Sequence, residues 1–292
     1  MNADPPTLPP PHPDPHPPRL FTPPPGSCDA HCHLFGPADR FPYAKARPYT
    51  PADAGLEAYR LLQARLGLTR AVFVQPACHG HDHAALLDAL KRGQGRHAGV
   101  ALLDPAIKDE DLEALHVAGV RGARFNFLSH LGGSPDPATF ERIIARIAPL
   151  GWHVVLHVDG PTLANQASAF RDLGCDFVID HLGRIDLADG LDQPAVQALL
   201  GAADDPRGWI KLSAADRISA EPGGYADVLP LMRLLVERAP ERLLWGSDWP
   251  HPNVRHMPDD GDMLDLLALA APDAAVRDAI LVDNPARLYD FH

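Results

Sequence analysis

One pattern recurs along most of this chain and limits the folds it can adopt: a short apolar segment, a loop, and an amphipathic stretch. In the amphipathic stretches apolar residues return every three or four positions, as in helices that pack by one face. Glycines stand where four of these helices are expected to end in a left-handed conformation: Gly67, Gly93, Gly119 and Gly151. Eight apolar segments predict strands: 27–35, 70–75, 97–104, 119–127, 152–158, 176–183, 209–214 and 243–249.

Eight strand–helix units predict an α/β fold of the (β/α)8 TIM-barrel type, with an open doubly wound sheet as the alternative. The barrel places its functional sites at the C-terminal ends of the strands, so polar side chains should stand at the end of each apolar segment. The sequence has such residues: His31 and His33, Gln75, Asp104, Arg124 and Asn126, His157, His181, Ser213 with Arg217 just beyond, and Asp248.

The first 26 residues differ from the rest, because they carry 12 of the 32 prolines and few large apolar groups. Such a segment samples extended polyproline conformations without burying a core. We therefore expect residues 1–26 to form a proline-rich leader, either disordered or lying along the surface, and residues 27–292 to form a single barrel domain.

The charge balance and the hydropathy exclude several classes of partner. The formal net charge of −12 disfavours nucleic acid, which is bound mainly through clustered cations. No apolar run reaches the length of a membrane span, and the proline-rich start lacks the apolar region of a secretory signal, so we expect neither membrane insertion nor export, and a cytoplasmic protein. The four cysteines are expected to be reduced thiols, and the oligomeric state is not readable from the sequence.

A His-x-His pair marks the first predicted strand. Side chains alternate along a strand, so His31 and His33 project to the same side. Together with three further residues at strand ends they make a set that can bind one divalent ion, such as Zn²⁺, or polarise a carbonyl without a metal. Asp248 is the expected general base for water in either case. The set consists of His31, His33, His157, His181 and Asp248.

Two arginines stand at predicted strand ends, although the chain as a whole is negatively charged. Arg124 and Arg217 would face the barrel mouth, where a guanidinium group matches a carboxylate. They predict a small anionic substrate, and the alternative is that each forms a structural ion pair. Asn126 lies on the same face as Arg124, and Tyr49 is expected to cover the mouth. Among the histidines outside the metal-type set, His79 and His251 are the further candidates for substrate contacts.

Motifs spread from about residue 27 to the end of the chain resemble one known family. CDAHCHLFGP, FPYAKARPYTP, QPACHGHD, GVRGARFNF, LGWHVVLHV, IDHLGR, LLWGSDWPHP and VDNPARLY resemble the amidohydrolase-2 branch of the amidohydrolase superfamily, and within it the lactonases of the pyrone-dicarboxylate type. The resemblance implies a (β/α)8 barrel and hydrolysis of a lactone in a small polyanion. It also implies that Asp248 activates water, that His31, His33 and His181 line the carbonyl site, and that Arg124 and Arg217 hold carboxylates.

The sequence departs from the pattern of these lactonases at two places. Ser129 and His130 stand where the pattern has a further arginine, which makes His130 a candidate substrate contact, and His157 stands where it has a tyrosine. Both changes imply a related substrate, such as a sulfomuconolactone or a sugar-acid lactone, and histidine at position 157 is the metal ligand of metal-dependent relatives. Because the bridging ligand of binuclear relatives is absent around Arg124, the resemblance implies at most one metal ion.

The sequence thus predicts a hydrolase that opens a lactone of a small carboxylated or sulfonated acid. The alternatives are a metal-dependent decarboxylase, since relatives with this ligand set also cleave C–C bonds, and a barrel that binds small acids without turnover. Release of CO₂ from the substrate would distinguish the decarboxylase from the lactonase.

Overall fold

Eight parallel strands lie side by side in chain order, β1 next to β2 and onward to β8. The structure is a computed structural model that describes residues 5–221 and 223–291, so the first four residues of the predicted leader lie outside it. The strands are β1 Cys28–Cys32, β2 Arg70–Val74, β3 His97–Ala101, β4 Val120–Asn126, β5 His153–His157, β6 Phe177–Ile179, β7 Gly208–Ser213 and β8 Leu243–Gly246.

Helices alternate with these strands, and the predicted (β/α)8 barrel is confirmed. The helices are α1 Leu56–Leu66, α2 Ala84–Gly93, α3 Asp109–Ala118, α4 Pro137–Ile147, α5 Gly160–Arg171, α6 Pro194–Ala203, α7 Leu229–Arg238, α8 Asp260–Ala270, α9 Ala274–Asp278 and α10 Asn284–Tyr289. None of these helices is both long and apolar enough to cross a membrane.

The barrel closes where β8 meets β1. The backbone N–H of Asp248 donates to the carbonyl of His31 at 2.8 Å, and the N–H of His33 donates to the carbonyl of Trp249 at 2.7 Å. A glycine permits this approach, because a Cβ at Gly246 would lie 2.6 Å from the Cβ of His31 and 2.8 Å from its backbone nitrogen. The closing seam and the His-x-His pair therefore occupy the same place.

The apolar core has two layers, as the alternation of strand side chains requires. One layer fills the space between strands and helices, and the other lies inside the barrel around Val72, Val155 and Trp209. The C-terminal residues Tyr289 and Phe291 belong to the inner layer. They cover the N-terminal ends of the strands, which leaves the opposite end of the barrel as the mouth.

Two details of the sequence prediction are corrected by the structure. Several strands are shorter than predicted, and His181 and Asp248 lie in turns just beyond β6 and β8. Gly93 is the last helical residue of α2, and the left-handed position after it is held by Gln94. Gly93 is instead needed for space, because a Cβ there would lie 2.3 Å from the ring of His97.

The proline-rich leader lies against the barrel over its described part, residues 5–26. The backbone N–H groups of Arg19 and Leu20 donate to the carboxylate of Asp265 on α8 at 2.9–3.1 Å. His16 adds a second link, with Nε2 at 2.7 Å from the carboxylate of Asp262. The leader is thus held in part by α8, which follows the last strand of the barrel, and in part by Thr50 and by Arg65 on α1.

Candidate active site

Three buried side chains meet at the mouth, where β1 and β8 close the barrel. His31 lies on β1, His33 follows it, and Asp248 follows β8. The Nε2 atoms of the two histidines are 3.3 Å apart. The Oδ1 atom of Asp248 lies 3.6 Å from Nε2 of His31 and 3.3 Å from Nε2 of His33. A water or a carbonyl oxygen placed beside this group would contact two imidazoles and a carboxylate.

The position of Asp248 is fixed by the turn in which it sits. Its φ is +65°, a left-handed conformation that a residue with a side chain adopts only where its surroundings hold it there. The preceding residue, Ser247, donates from its backbone nitrogen and its hydroxyl to the carboxylate of Asp29 on β1, at 3.0 and 2.6 Å. Backbone and side-chain bonds from β1 therefore set the direction of Asp248.

A buried ion pair stands behind His31. The Lys211 ammonium lies 3.1 Å from Oδ1 of Asp180 and 3.0 Å from Nδ1 of His31, and the same Asp180 oxygen lies 3.2 Å from Nδ1 of His31. Both charged side chains are fully buried. The sequence reasoning missed them, although a lysine inside the apolar strand WIKLSA and an aspartate directly before His181 were visible signals.

Charged neighbours keep Asp248 ionised. Burial by itself would raise the pKa of this carboxyl, but Arg217, followed by His181 and His33, holds the pKa well below its usual range. Asp248 is therefore an anion at neutral pH, as a general base must be.

His31 and His181 are neutral at the pH at which Asp248 is an anion. Burial lowers the pKa of His181 to about 3 and lowers the pKa of His31 well below its usual range, with the charge of Lys211 adding to the effect on His31. The ring of His181 is oriented by Ser213, whose hydroxyl oxygen lies 2.9 Å from Nδ1. Neutral imidazoles can hydrogen-bond a carbonyl oxygen or bind a metal ion.

Both predicted arginines lie at the cavity, and both form ion pairs within the protein. Nη2 of Arg217 lies 2.5 Å from Oδ2 of Asp248, and Nε of Arg124 lies 3.0 Å from Oδ2 of Asp180. The two alternatives of the sequence analysis thus coexist, because each guanidinium has a carboxylate partner and also lines the cavity.

A third arginine, missed by the sequence reasoning, lines the same cavity. Arg184 follows His181 in a short 3₁₀ turn, and no carboxylate lies within ion-pair distance of it among residues 5–221 and 223–291. Burial, and then the charge of Arg217, lower the pKa of Arg184 to about 10, which leaves it charged at neutral pH. Its position in IDHLGR, three residues after a site histidine, was the available signal.

A cavity open to solvent lies at the mouth of the barrel. Its charged lining, histidines aside, consists of three arginines and a single carboxylate, Asp248. Four further residues from the sequence prediction also line it, as do several that the prediction left out. The predicted ones are Tyr49, Asn126, His130 and His157, and the others are Ala77, Leu131, Pro252 and Asn253.

Two predicted substrate contacts lie away from this lining. His79 is buried, and its Nε2 accepts a hydrogen bond from the backbone N–H of Gly36 at 3.2 Å. His251 is also buried, with Nε2 at 2.9 Å from the carboxylate of Asp260 at the start of α8. His79 therefore stabilises a loop next to the site, whereas Nδ1 of His251 has no hydrogen-bond partner within residues 5–221 and 223–291.

Two of the polar residues at predicted strand ends also serve local structure. The amide of Gln75 donates to the carbonyls of Gly80 and Asp82 and so shapes the loop after β2. Asp104 is exposed beyond the end of β3, where it accepts from the N–H of Ala106 at 2.7 Å. Polarity at a strand end was therefore not sufficient to identify a site residue.

The geometry around Asp248 fits a single divalent metal ion. Two ligand atoms bound tetrahedrally to one Zn²⁺ are about 3.4 Å apart, since each bond is about 2.0–2.1 Å long. The three distances among His31, His33 and Asp248 are 3.3–3.6 Å. The outer ring nitrogen of His33 donates to the carbonyl of Val74 at 2.8 Å, and that of His31 lies next to both the Lys211 ammonium and the Asp180 carboxylate.

The other two predicted ligands, His181 and His157, lie outside this group of three. His181 groups with His31 and Asp180 in a second cluster that could hold an ion, and its Nε2 is 3.8 Å from Oδ1 of Asp248. His157 belongs to neither cluster. The structure therefore brings together three of the five predicted ligands and places His181 beside them. His157 lies in the wall of the cavity.

Fold and site together define a class: a (β/α)8-barrel enzyme with two histidines and an ionised carboxylate meeting where its first and last strands close the barrel. Within that class, the chain belongs to the amidohydrolase family, whose type 2 model matches residues 28–291.

Two curated relatives cover nearly the whole chain. It is 42% identical over 279 residues to the 2-pyrone-4,6-dicarboxylate hydrolase of Comamonas testosteroni, with 92% of each chain covered. It is 43% identical over 276 residues to the 4-sulfomuconolactone hydrolase of Rhizobium radiobacter, with 93% of this chain and 92% of that one covered.

A solved structure shares the fold. The crystal structure of a probable 2-pyrone-4,6-dicarboxylic acid hydrolase from Acinetobacter baumannii, with citric acid bound, matches with a TM-score of 0.81 at 26% identity. The match covers 91% of this chain and all of the other.

Proposed function

We propose that this enzyme hydrolyses a lactone of a small acid that carries carboxylate or sulfonate groups. The observation that carries the proposal is the charge arrangement of the cavity, where three arginines surround one ionised carboxylate. Arg184, which has no acidic partner among residues 5–221 and 223–291, is the anchor for an anionic group of the substrate. The relatives named above act on lactones that carry carboxylate or sulfonate groups, which supports the same substrate class here.

Each step of the proposed lactone hydrolysis is assigned to a residue of the site. Asp248 removes a proton from a water molecule, and the water oxygen forms a bond to the lactone carbonyl carbon. His31, whose Nδ1 accepts from the Lys211 ammonium, donates from Nε2 to the carbonyl oxygen and stabilises the charge that develops there. The ring C–O bond then breaks, and the proton held by Asp248 passes to the departing oxygen. The product is the open-chain hydroxy acid or its keto tautomer.

A divalent ion, for which Zn²⁺ is the candidate, would be held by His31, His33 and Asp248. When bound it supplies a Lewis acid for the carbonyl and lowers the pKa of a water molecule. The roles of Arg184 and Arg217 in holding the anionic groups are the same with and without the ion.

The proposal is tested by following acid release from a panel of carboxylated and sulfonated lactones, with the Asp248→Asn variant as the comparison. Asparagine preserves the shape of the side chain and removes the base, so we expect turnover to fall by about 10²–10⁴-fold. Binding of the open-chain acid, measured by calorimetry, should change much less.

Two results would overturn the proposal: no lactone of the panel is opened by the wild-type enzyme, or Asp248→Asn turns over at the wild-type rate. CO₂ release without lactone opening would instead identify a decarboxylase.

A further inference from the structure

His157 faces the cavity with one hydrogen-bonding atom that has no partner. Its Nδ1 lies 2.9 Å from the amide oxygen of Asn126 on β4. Its Nε2 is buried and forms no hydrogen bond within residues 5–221 and 223–291. A buried polar atom without a partner costs free energy, so its retention at a cavity wall indicates that a bound molecule supplies the partner.

The bond to Asn126 determines what kind of partner this is. Because the amide oxygen accepts, the ring proton is on Nδ1, and Nε2 carries a lone pair. Burial and the charge of Arg124 lower the pKa of His157 well below its usual range, and Arg184 acts in the same direction. Positive charges nearby also favour a lone pair over an N–H on that side of the ring.

Apart from Asp248 and the other histidines, the charged and hydroxyl groups that line the cavity are donors. The three arginines and the hydroxyl of Tyr49 can all donate to an anion, whereas a carboxylate, a sulfonate and a lactone carbonyl only accept. A lone pair on Nε2 repels such groups. It matches a hydroxyl, which can donate to Nε2 and at the same time accept from a neighbouring guanidinium.

We propose that the substrate is a hydroxylated lactone acid whose free hydroxyl donates to Nε2 of His157. His157 is the residue that selects the hydroxyl, and Asn126 is a positioning residue that fixes the ring proton on Nδ1. This inference rests on the proposed function for the lactone, while the preference for a hydroxyl is a property of the cavity itself.

Binding of two simple acids tests the hydroxyl site without any turnover. Malate and succinate differ by one hydroxyl, and the wild-type enzyme should bind malate at least about tenfold more tightly in calorimetry. His157→Phe should bring the two affinities together, and its succinate affinity serves as the measure of intact folding. Asn126→Asp should keep the preference, because a carboxylate also accepts from Nδ1. Equal or absent binding of both acids by the wild type, or an unchanged preference in a His157→Phe variant that still binds succinate, would overturn the inference.

Turnover of matched lactones, with and without the free hydroxyl, gives the second measurement. A kcat/KM that is higher for the hydroxylated lactone in the wild type and equal for both in His157→Phe supports the inference, and equal values in the wild type overturn it. If no lactone is opened while the preference for malate holds, the hydroxyl site stands and the lactone hydrolase function fails. If lactones are opened without regard to the hydroxyl, the function stands and the hydroxyl site fails.

Discussion

At the scale of single residues, the three arginines of the cavity differ in whether a carboxylate of the protein is paired with them. Arg124 and Arg217 are paired with Asp180 and Asp248. Replacing either of them would leave a buried carboxylate without its partner and would disturb the groups around the water site as well as the substrate. Arg184 has no such partner among the described residues, so its replacement isolates the effect on the substrate.

We predict that Arg184→Met weakens substrate binding while leaving the base intact. Loss of one charge-assisted hydrogen bond of about 1.5–3 kcal/mol should lower kcat/KM by about 10- to 150-fold, mainly through KM. Steady-state kinetics on the best lactone of the panel measures this.

The matched control is Arg238→Met. Arg238 is exposed on α7 and is not among the residues that line the cavity. Its Nε and Nη2 atoms each lie 2.7 Å from an oxygen of the Asp204 carboxylate. The Arg238→Met variant should leave kcat/KM unchanged. An effect of equal size in both variants would contradict the assignment of Arg184.

The missed residues show what the sequence could and could not provide. His31, His33 and Asp248 were found because their residue types and strand-end positions agree with one chemistry. Lys211 was missed because a strand pattern does not say which side of a barrel a lone lysine faces, and Asp180 because its neighbour His181 explained the same motif. The pairing of these two buried charges depends on the register of β6 and β7, which only the structure gives.

At the scale of secondary-structure elements, the seam between β1 and β8 links stability to the site. The order and number of strands followed from the repeating sequence pattern, and the fold prediction was correct for that reason. The exact strand ends did not follow, because the chain leaves regular structure through left-handed residues at His181 and Asp248, which no propensity favours.

We predict that Gly246→Ala opens this seam. The new methyl group would lie 2.6 Å from the Cβ of His31, so either β1 or β8 must move. We expect a loss of about 1–3 kcal/mol in the free energy of unfolding, measured by denaturant titration, together with a fall in activity from the displaced His31.

Gly201→Ala provides the comparison at this scale. Gly201 lies within α6, and the nearest atom to its added Cβ is the end of the flexible Arg171 side chain at 4.0 Å. Alanine there should increase stability by up to about 1 kcal/mol. A Gly246→Ala variant as stable as Gly201→Ala would show that the seam tolerates a side chain.

At the scale of the whole molecule, the leader adds a pH-dependent contribution to stability. Burial by itself would lower the pKa of His16, but the carbonyl of Pro17 and the carboxylates of Asp262 and Asp259 raise it above 6.5. A histidine with a raised pKa in the folded state stabilises the fold fully at pH values below its unfolded pKa. The contribution disappears as the pH rises through the folded pKa.

We therefore predict that His16→Gln lowers the unfolding temperature at about pH 5.5 and has little effect at about pH 9. The loss should be that of a partly exposed ion pair, about 0.2–1 kcal/mol. Thermal unfolding of the wild type and the variant at the two pH values measures it.

His12→Gln is the control in the same segment. The ring of His12 accepts only from the backbone N–H of Asp14 and has no acidic partner in the described part of the chain. The unfolding temperature of the His12→Gln variant should equal that of the wild type at both pH values. If His16→Gln does the same, the ion pair contributes nothing to the attachment of the leader.

The contacts between the leader and α8 also fix when, during synthesis on the ribosome, this part of the leader can dock. The backbone of His16 binds Asp259, which is synthesised 243 residues later. Residues 16–20 of the leader can therefore dock on α8 only after almost the entire barrel has been translated, whereas residues 6–8 pair with Thr50, which is translated much earlier. Docking of residues 16–20 on α8 can occur only on chains whose last strand and following helix are complete.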